Sequence, residues 1–482
     1  DLIPNASLLA IILPIISAIL IYVFGKYAEK YVGWIATAAA SLSVCMILSM
    51  VSDVVEKIPI HDTYAWIPSI NLTLGFMVDT VSFPIALIVA VVSTLSCFYS
   101  IKYMENKRGQ TGYYANLLLF MAGMIGVMLS ANLIQFYLFW ELMLIPSYFL
   151  IASWGVSKKR LTIGFKYFIF THIGALFMLM GILSIYVFTG TFDFDKLPQA
   201  SNYIPSTSIL TVFVLLLIGF SVKMAIFPVH TWLPDAHSEA PTPISAMLSG
   251  VMIKCGAYAF ARILLPAFGK TAITQTSDVL AILGVVTMIY GGLMALAQTD
   301  IKRLLAYSSI SQMGYIFFGL GVYSTMGANG AIFHVVNHAI CKSLLFMCAG
   351  VIIYQTGIRD IRKLGGLADK MPVVCAAALI GALSLAGTPP LNGFWSEWMI
   401  FSGGVFSGKT LITTIAIIST AITAGYYLWF LWRVFFGTTP KRLENTRKPS
   451  WLMRIPIIIL AVIAVVIGIW PDIVLRLLSV PF

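Results

Sequence analysis

The chain has 482 residues, 59% of them hydrophobic and only 10% charged. That length would hold two or three soluble domains, but the composition is that of an integral membrane protein. The net charge of +11 lies mainly in short loops between apolar runs, which excludes a nucleic-acid partner and reads as membrane topology.

Six cysteines, at 45, 97, 255, 341, 348 and 375, lie in or at the ends of apolar segments with no C-x-x-C pair. They read as small core residues rather than metal or cluster ligands. No G-x-G-x-x-G or Walker pattern is present, so no nucleotide is expected, nor any other cofactor. Apolar runs recur from end to end, and no cleavable signal pattern is read.

Hydropathy divides the chain into about fourteen spans. The first three, near 6–25, 32–52 and 78–101, form an N-terminal unit over 1–112. Within it, 56–76 mixes turn formers with β-branched and aromatic residues and reads as a short hairpin. Spans four to eight, near 113–130, 132–155, 161–189, 207–228 and 242–265, form a unit over 113–265 with a polar loop at 190–206. Spans nine to thirteen, near 276–297, 303–323, 327–355, 371–401 and 407–437, form another over 276–437. A loop and a last span near 452–475 occupy 438–482.

Two spans are discontinuous. Pro228 breaks the seventh, and Pro234, Pro241 and Pro243 keep the following turns irregular. The run GTPPLNG at 387–393 breaks the twelfth. Broken backbone at membrane depth is tolerated only inside protein or beside water. The breaks are five spans apart, and five is odd, so spans 4–8 and 9–13 would be inverted repeats. The expected fold is therefore an all-α polytopic membrane protein with two inverted five-helix repeats and two broken helices.

Basic residues set the orientation. Of the 30 Lys and Arg, twenty-one lie near loops that follow odd-numbered spans and six near loops that follow even-numbered ones; Lys223, Lys254 and Lys342 lie within spans. The positive-inside rule puts the odd-span loops in the cytoplasm and both termini, with the hairpin, outside a prokaryotic plasma membrane.

Charge inside the spans is the functional signal, because a lysine at bilayer depth costs roughly 2.5–3.5 kcal/mol. Lys223 lies five residues before the first break and Lys254 near the middle of the next span. Glu141 stands among aromatic and apolar residues about nine positions into the fifth span. His334, His338 and Lys342 recur at i, i+4 and i+8 and share one helical face. That stripe reads as a proton wire. A zinc pair at the two histidines lacks a third ligand, and Lys342 would repel the cation, so no metal is expected. Glu397 is the charge of the second half of the twelfth span. His230 and His237 flank the first break as connecting groups between Lys223 and its neighbours, against a structural role. Asp79, at the start of the third span, reads as a helix-terminal charge ahead of a pathway member. His172 reads as hydrogen-bonded core, and Asp300, Lys302 and Arg303 as surface or access residues at the end of the tenth span.

Two long runs carry a resemblance: VHTWLPDAHSEAPTP at 229–243 and QTDIKRLLAYSSISQMGY at 298–315. Over nearly its whole length the chain resembles the antiporter-like membrane subunits of respiratory complex I, membrane-bound hydrogenases and Mrp-type sodium/proton antiporters. The resemblance implies that Glu141 pairs with Lys223 as a gate and that Glu397 is the exit group. Glu397 looks like the M-type subunit, whereas H-x-x-x-H-A-x-x-K at 334–342 looks more like the Mrp-type and L-type relatives. Such a mixture suits a hydrogenase-type complex.

The expected function is proton translocation through Glu141–Lys223, Lys254, His334/His338/Lys342 and Glu397, in a redox-driven ion-pumping complex of the NADH/quinone oxidoreductase or membrane-bound hydrogenase type. The expected partners are lipid, other membrane subunits including further antiporter-like ones, and redox subunits carrying iron–sulfur or metal centres. The chain itself would not be an enzyme. The alternative is a component of an Mrp-type sodium/proton antiporter, with any sodium path in partner subunits. A solute transporter and an inert membrane scaffold are the more distant readings.

Overall fold

An apolar segment can cross a bilayer only if its backbone amides and carbonyls are bonded within it, so these runs fold as helices. The computed structural model describes residues 2–482. Helices α1 (Ala6–Phe24), α2 (Val32–Leu48) and the short α3 (Val51–Val55) come first. The expected hairpin follows as antiparallel strands β1 (Ile60–Ile67) and β2 (Leu72–Val78), with Ile60 opposite Val78. Four long helices come next: α4 (Ser82–Tyr103), α5 (Gln110–Leu129), α6 (Leu133–Trp154) and α7 (Arg160–Thr189).

The segment expected as a polar loop, 190–206, contains a 3₁₀ turn over Phe194–Gln199 and the short α8 (Ala200–Tyr203). Phe194 and Leu197 are buried there, and Phe194 N–H donates to Ala131 O at 3.0 Å. Phe192, Ala200 and Ile204 are buried as well, and these apolar side chains fold the otherwise polar stretch back onto the bundle.

The first break lies between α9 (Ser206–Met224) and α10 (Trp232–Glu239). The helix stops four residues before Pro228, earlier than the sequence suggested, with Ala225 left-handed at φ 59°. The freed backbone is bonded to protein: Trp232 Nε1 donates to Val222 O at 2.8 Å and Phe227 N–H to Thr287 Oγ1 at 3.2 Å.

Helices α11 (Thr242–Met247), α12 (Lys254–Ala259), α13 (Leu265–Phe268) and α14 (Thr274–Leu296) run on as one helical stretch, joined by π-helical segments at Leu248–Met252, Phe260–Leu264 and Gly269–Ile273. Then come α15 (Ile301–Gly321), α16 (Thr325–Thr356), α17 (Pro372–Leu385), α18 (Asn392–Phe406), α19 (Thr410–Phe435), α20 (Trp451–Ile469) and the short α21 (Asp472–Leu475). The second break separates α17 from α18. There Gly393 N–H donates to Ser384 Oγ at 2.9 Å, and Asn337 Nδ2 to Asn392 O at 2.9 Å.

Among the described residues, eleven helical stretches are long and apolar enough to cross a membrane. The expected count of fourteen departs from this at three places. Residues 242–296 form one run of 55 residues, about 80 Å if straight, against a hydrocarbon core of about 30 Å. Helix α15 is long but carries Lys302, Arg303, three serines and Gln312. Helices α17 and α18, with 14 and 15 residues, are the halves of a broken span and each is too short alone.

Peripheral helices turn apolar side chains outward, among them Val187, Leu411 and Ile418. Cys45 also faces outward, unlike the other five cysteines, because its side of α2 meets no neighbouring helix. Helix α16 is buried along most of its length. The bundle is thus polar at its centre and apolar at its rim, which is where a pathway of ionisable groups requires its walls.

Candidate functional site

The stripe on α16 faces the bundle interior, with His334, His338 and Lys342 fully buried. Lys254 approaches it from the neighbouring run, where its ammonium hydrogen-bonds His338 Nδ1 and donates to Ser249 O at 2.6 Å. The two histidine rings are 6.3 Å apart between centroids. His334 then bonds Gln312 Oε1 through Nε2 at 2.7 Å and Ser396 Oγ through Nδ1 at 2.8 Å. Ser396 precedes Glu397 on α18, so Lys254, His338, His334 and the helix that bears Glu397 line up as one series, with a gap between the two rings where His338 Nε2 has no hydrogen-bond partner among the described residues.

Lys342 diverges from that series. It donates to Ser308 Oγ, to Tyr427 OH at 2.8 Å and to Leu305 O at 3.3 Å. The i+8 spacing keeps it on the same side of α16, but α15 and α19 take its ammonium.

Glu397 is 5% exposed, and its Oε1 has no hydrogen-bond partner among the described residues. It lines a cavity of about 470 Å³ with Gly387, Phe394, Trp398, Phe401 and Phe406. Trp398 and Phe406 are also exposed on the outer wall. The buried carboxyl therefore lies beside a cavity that opens on the apolar outer wall of the bundle.

The other half is less connected. Lys223 lies in the last turn of α9, where the carbonyl end of the helix dipole favours a cation. It is buried, its Nζ has no hydrogen-bond partner among the described residues, and it stands 5.2 Å from the Trp140 ring centroid. No salt bridge joins Lys223 to Glu141 among the described residues, although the Glu141 carboxylate is close enough to act on the ammonium through its charge. Glu141 Oε2 instead meets His172 Nδ1 at 3.2 Å, while Oε1 is unpartnered. The cause is geometric: α7 packs on α6 and brings His172 to the carboxylate first. His172, expected in the core, is about one-third exposed. No sequence spacing connects positions 141 and 172, so nothing along the chain marked this partner.

The flanking histidines do not bond Lys223 either. His230 stacks on Phe227 and meets Tyr290 edge-on, with centroids 5.5 and 4.7 Å away, and its Nδ1 has no partner among the described residues. His237 is fully buried beside Trp232 and Phe346, and neither ring nitrogen has a partner among the described residues. Asp79 is a helix-terminal charge as expected, accepting from the amides of Val81 and Ser82 at 3.0 Å each. It also holds a second partner: Arg262 grips it with two bonds of 2.8 and 2.6 Å and donates to Tyr258 OH at 3.0 Å. Arg262, one of the six basic residues near loops that follow even-numbered spans, is only 7% exposed. Asp300 and Arg303 lie near the surface, tied to Arg359 at 3.0 Å and Asp235 at 2.9 Å. Lys302 does not: it is 1% exposed and donates to Ala240 O, because the end of α10 covers it.

A family model described as NADH:quinone oxidoreductase/Mrp antiporter, TM, matches residues 130–423. The chain belongs to this family. A second model, for the N-terminus of chain 5 of NADH-ubiquinone oxidoreductase (complex I), matches residues 66–114. Subunit M of F(420)H(2) dehydrogenase from Methanosarcina mazei is 33% identical over 490 residues, 99% of this chain and 97% of that protein. An Na(+)/H(+) antiporter subunit from Alkalihalophilus pseudofirmus is 36% identical, but the match spans 96% of this chain and only 61% of that longer protein. Among solved structures, a chain of the membrane-bound sulfane sulfur reductase, an archaeal respiratory membrane complex, superposes with a TM-score of 0.90 at 31% identity, covering 99% of this chain and 79% of that one. Family members thus serve both redox complexes and antiporters.

Proposed function

We propose that this chain is the proton-conducting, antiporter-like membrane subunit of a redox-driven ion-pumping complex, and that electron transfer belongs to its partner subunits. The observation that carries this is the buried series Lys254–His338–His334–Ser396 ending beside Glu397. Lysine, histidine and carboxyl groups can each hold or release a proton, and in a bundle core they mark ion pathways more often than structure. Two units, 113–265 and 276–437, are read as inverted repeats, each contributing one broken helix. Lys223 belongs to the first unit as its switchable group, with Glu141–His172 as the neighbouring charge pair whose state biases it. Lys342 is read as a side branch, and His230 and His237 as connecting groups. We place the protein in a prokaryotic plasma membrane with both termini outside. Neighbouring antiporter-like subunits and redox subunits with iron–sulfur or metal centres complete the assembly.

The antiporter reading is kept alive by the 36% identity to an Na(+)/H(+) antiporter subunit. Buried lysines and histidines suit protons better than sodium, which prefers clustered oxygen ligands. The deciding experiment is proton translocation per electron in vesicles bearing the intact complex with Lys223→Ala. A fall in that ratio with assembly retained is expected. Unchanged pumping and turnover would leave the chain a scaffold.

A further inference from the structure

The run QTDIKRLLAYSSISQMGY at 298–315 contains groups that the pathway above does not use. We infer that Lys302 is a further proton-relay group, feeding the Lys254–His338 pair along one face of α15. This rests on the proposed proton-conducting role and adds to it an access route.

Three observations carry the inference. First, Lys302 is a buried ammonium with no ion pair among the described residues; its side chain meets only the carbonyl of Ala240. The carboxylates around it are already engaged. Glu239 accepts from Ser157 N–H at 2.6 Å and Ser157 Oγ at 2.8 Å, while Asp300 accepts from Arg359 at 3.0 and 3.1 Å. Arg303 turns away to Asp235. A buried ammonium whose neighbouring carboxylates are bound elsewhere is free to take part in proton transfer.

Second, positions 302, 305, 309 and 312 lie at i, i+3, i+7 and i+10, on one face of α15. Positions 309 and 312 meet the buried series, position 305 meets the Lys342 branch, and Lys302 begins the face. Leu305 O and Ser308 Oγ receive Lys342, Ser309 Oγ bonds Ser249 Oγ, and Gln312 bonds His334. The face is about 15 Å long. Third, His237 is buried near the same end of α10, with both ring nitrogens unpartnered. It offers a donor and an acceptor between the Ala240 carbonyl and the interior, with water closing the remaining gaps.

The competing account is mechanical: Lys302 simply ties α15 to the carbonyl end of α10. Arginine separates the two, because it keeps charge and hydrogen bonding but cannot give up its proton. Proton translocation per electron is measured in vesicles holding the intact complex with Lys302→Arg, Lys302→His or Lys254→Ala. Lys254→Ala and Lys302→Arg should each lower the ratio at least threefold with electron transfer retained. Lys302→His should recover half or more of it, with its optimum moved to lower pH. If Lys302→Arg does not assemble, Lys302→Gln, which keeps a donor for Ala240, takes its place under the same criteria. Wild-type pumping in Lys302→Arg, or in Lys302→Gln, alongside failure in Lys254→Ala overturns the relay and leaves a tie. Wild-type pumping in Lys254→Ala removes the proton-conducting reading itself, and the route with it.

Discussion

Asp79→Ala should destabilise the protein by about 3–4 kcal/mol. The carboxylate takes two bonds from Arg262 and two from backbone amides at the start of α4. Removing one partner of a buried ion pair costs roughly 3–5 kcal/mol, mostly because the other charge is stranded. The Asp79 side chain is about one-fifth exposed, which sets the value near the lower end. Loss of the two amide bonds adds about 1 kcal/mol, as for other helix N-terminal acceptors. Asp79→Asn keeps an oxygen for those amides and should be milder by about that amount. The double variant Asp79→Ala/Arg262→Met removes the stranded guanidinium as well, and should recover most of the charge-dependent loss. Denaturant unfolding of the purified complex in mixed micelles, followed by tryptophan fluorescence, gives all three values. An Asp79→Ala protein within about 0.5 kcal/mol of wild type, the usual range for a bland surface change, refutes the reasoning. So does a double variant no more stable than the single one. Because the pair is read as a clamp, Asp79→Asn should leave protons pumped per electron unchanged.

Three further outcomes are expected. His338→Gln keeps a polar partner for Lys254 but cannot carry a proton, so the pumping ratio in vesicles should fall several-fold while the complex assembles. Glu397→Gln should do the same, and wild-type pumping in it would remove Glu397 from the route. Asp193, in the loop between α7 and α8, is raised above the usual carboxylate range by burial and by the nearby Asp195. Its folded form therefore binds a proton more tightly than the unfolded one, so stability falls as pH rises from the unfolded value through the folded value. Asp193→Asn should flatten that fall, read as thermal midpoint against pH in the weakly acidic range.

Much of this architecture was legible along the chain, and the gaps have physical causes. The helix breaks at Pro228 and Pro389-Pro390 follow from a ring that cannot donate a hydrogen bond. The α16 stripe follows from helical period alone. What periodicity cannot supply is the neighbour. Glu141 meets His172 rather than Lys223 because α7 packs on α6, and Lys342 turns to Ser308 and Tyr427 because α15 and α19 flank it. Lys302 lies two residues after an aspartate and just before an arginine at a helix start, which is how a surface charge looks; its burial comes from the packing of other elements over it, with its ammonium bonded to the Ala240 carbonyl. Arg262 does carry a signal of its burial. It lies in the apolar run AYAFARILLP, and Asp79 begins a span on the same expected side of the membrane.

The π-helical segment Leu248–Met252 ends two residues before Lys254. A π turn accommodates an added residue, and one residue is about 100° of rotation on an α-helix. Rewinding 248–252 to a regular α-turn would therefore swing Lys254 around the helix axis by about that angle, away from His338 and the Ser249 carbonyl. The azimuth of the lysine is thus stored in the winding of the turn before it. A one-residue deletion there, with every ionisable group left in place, would disconnect the series.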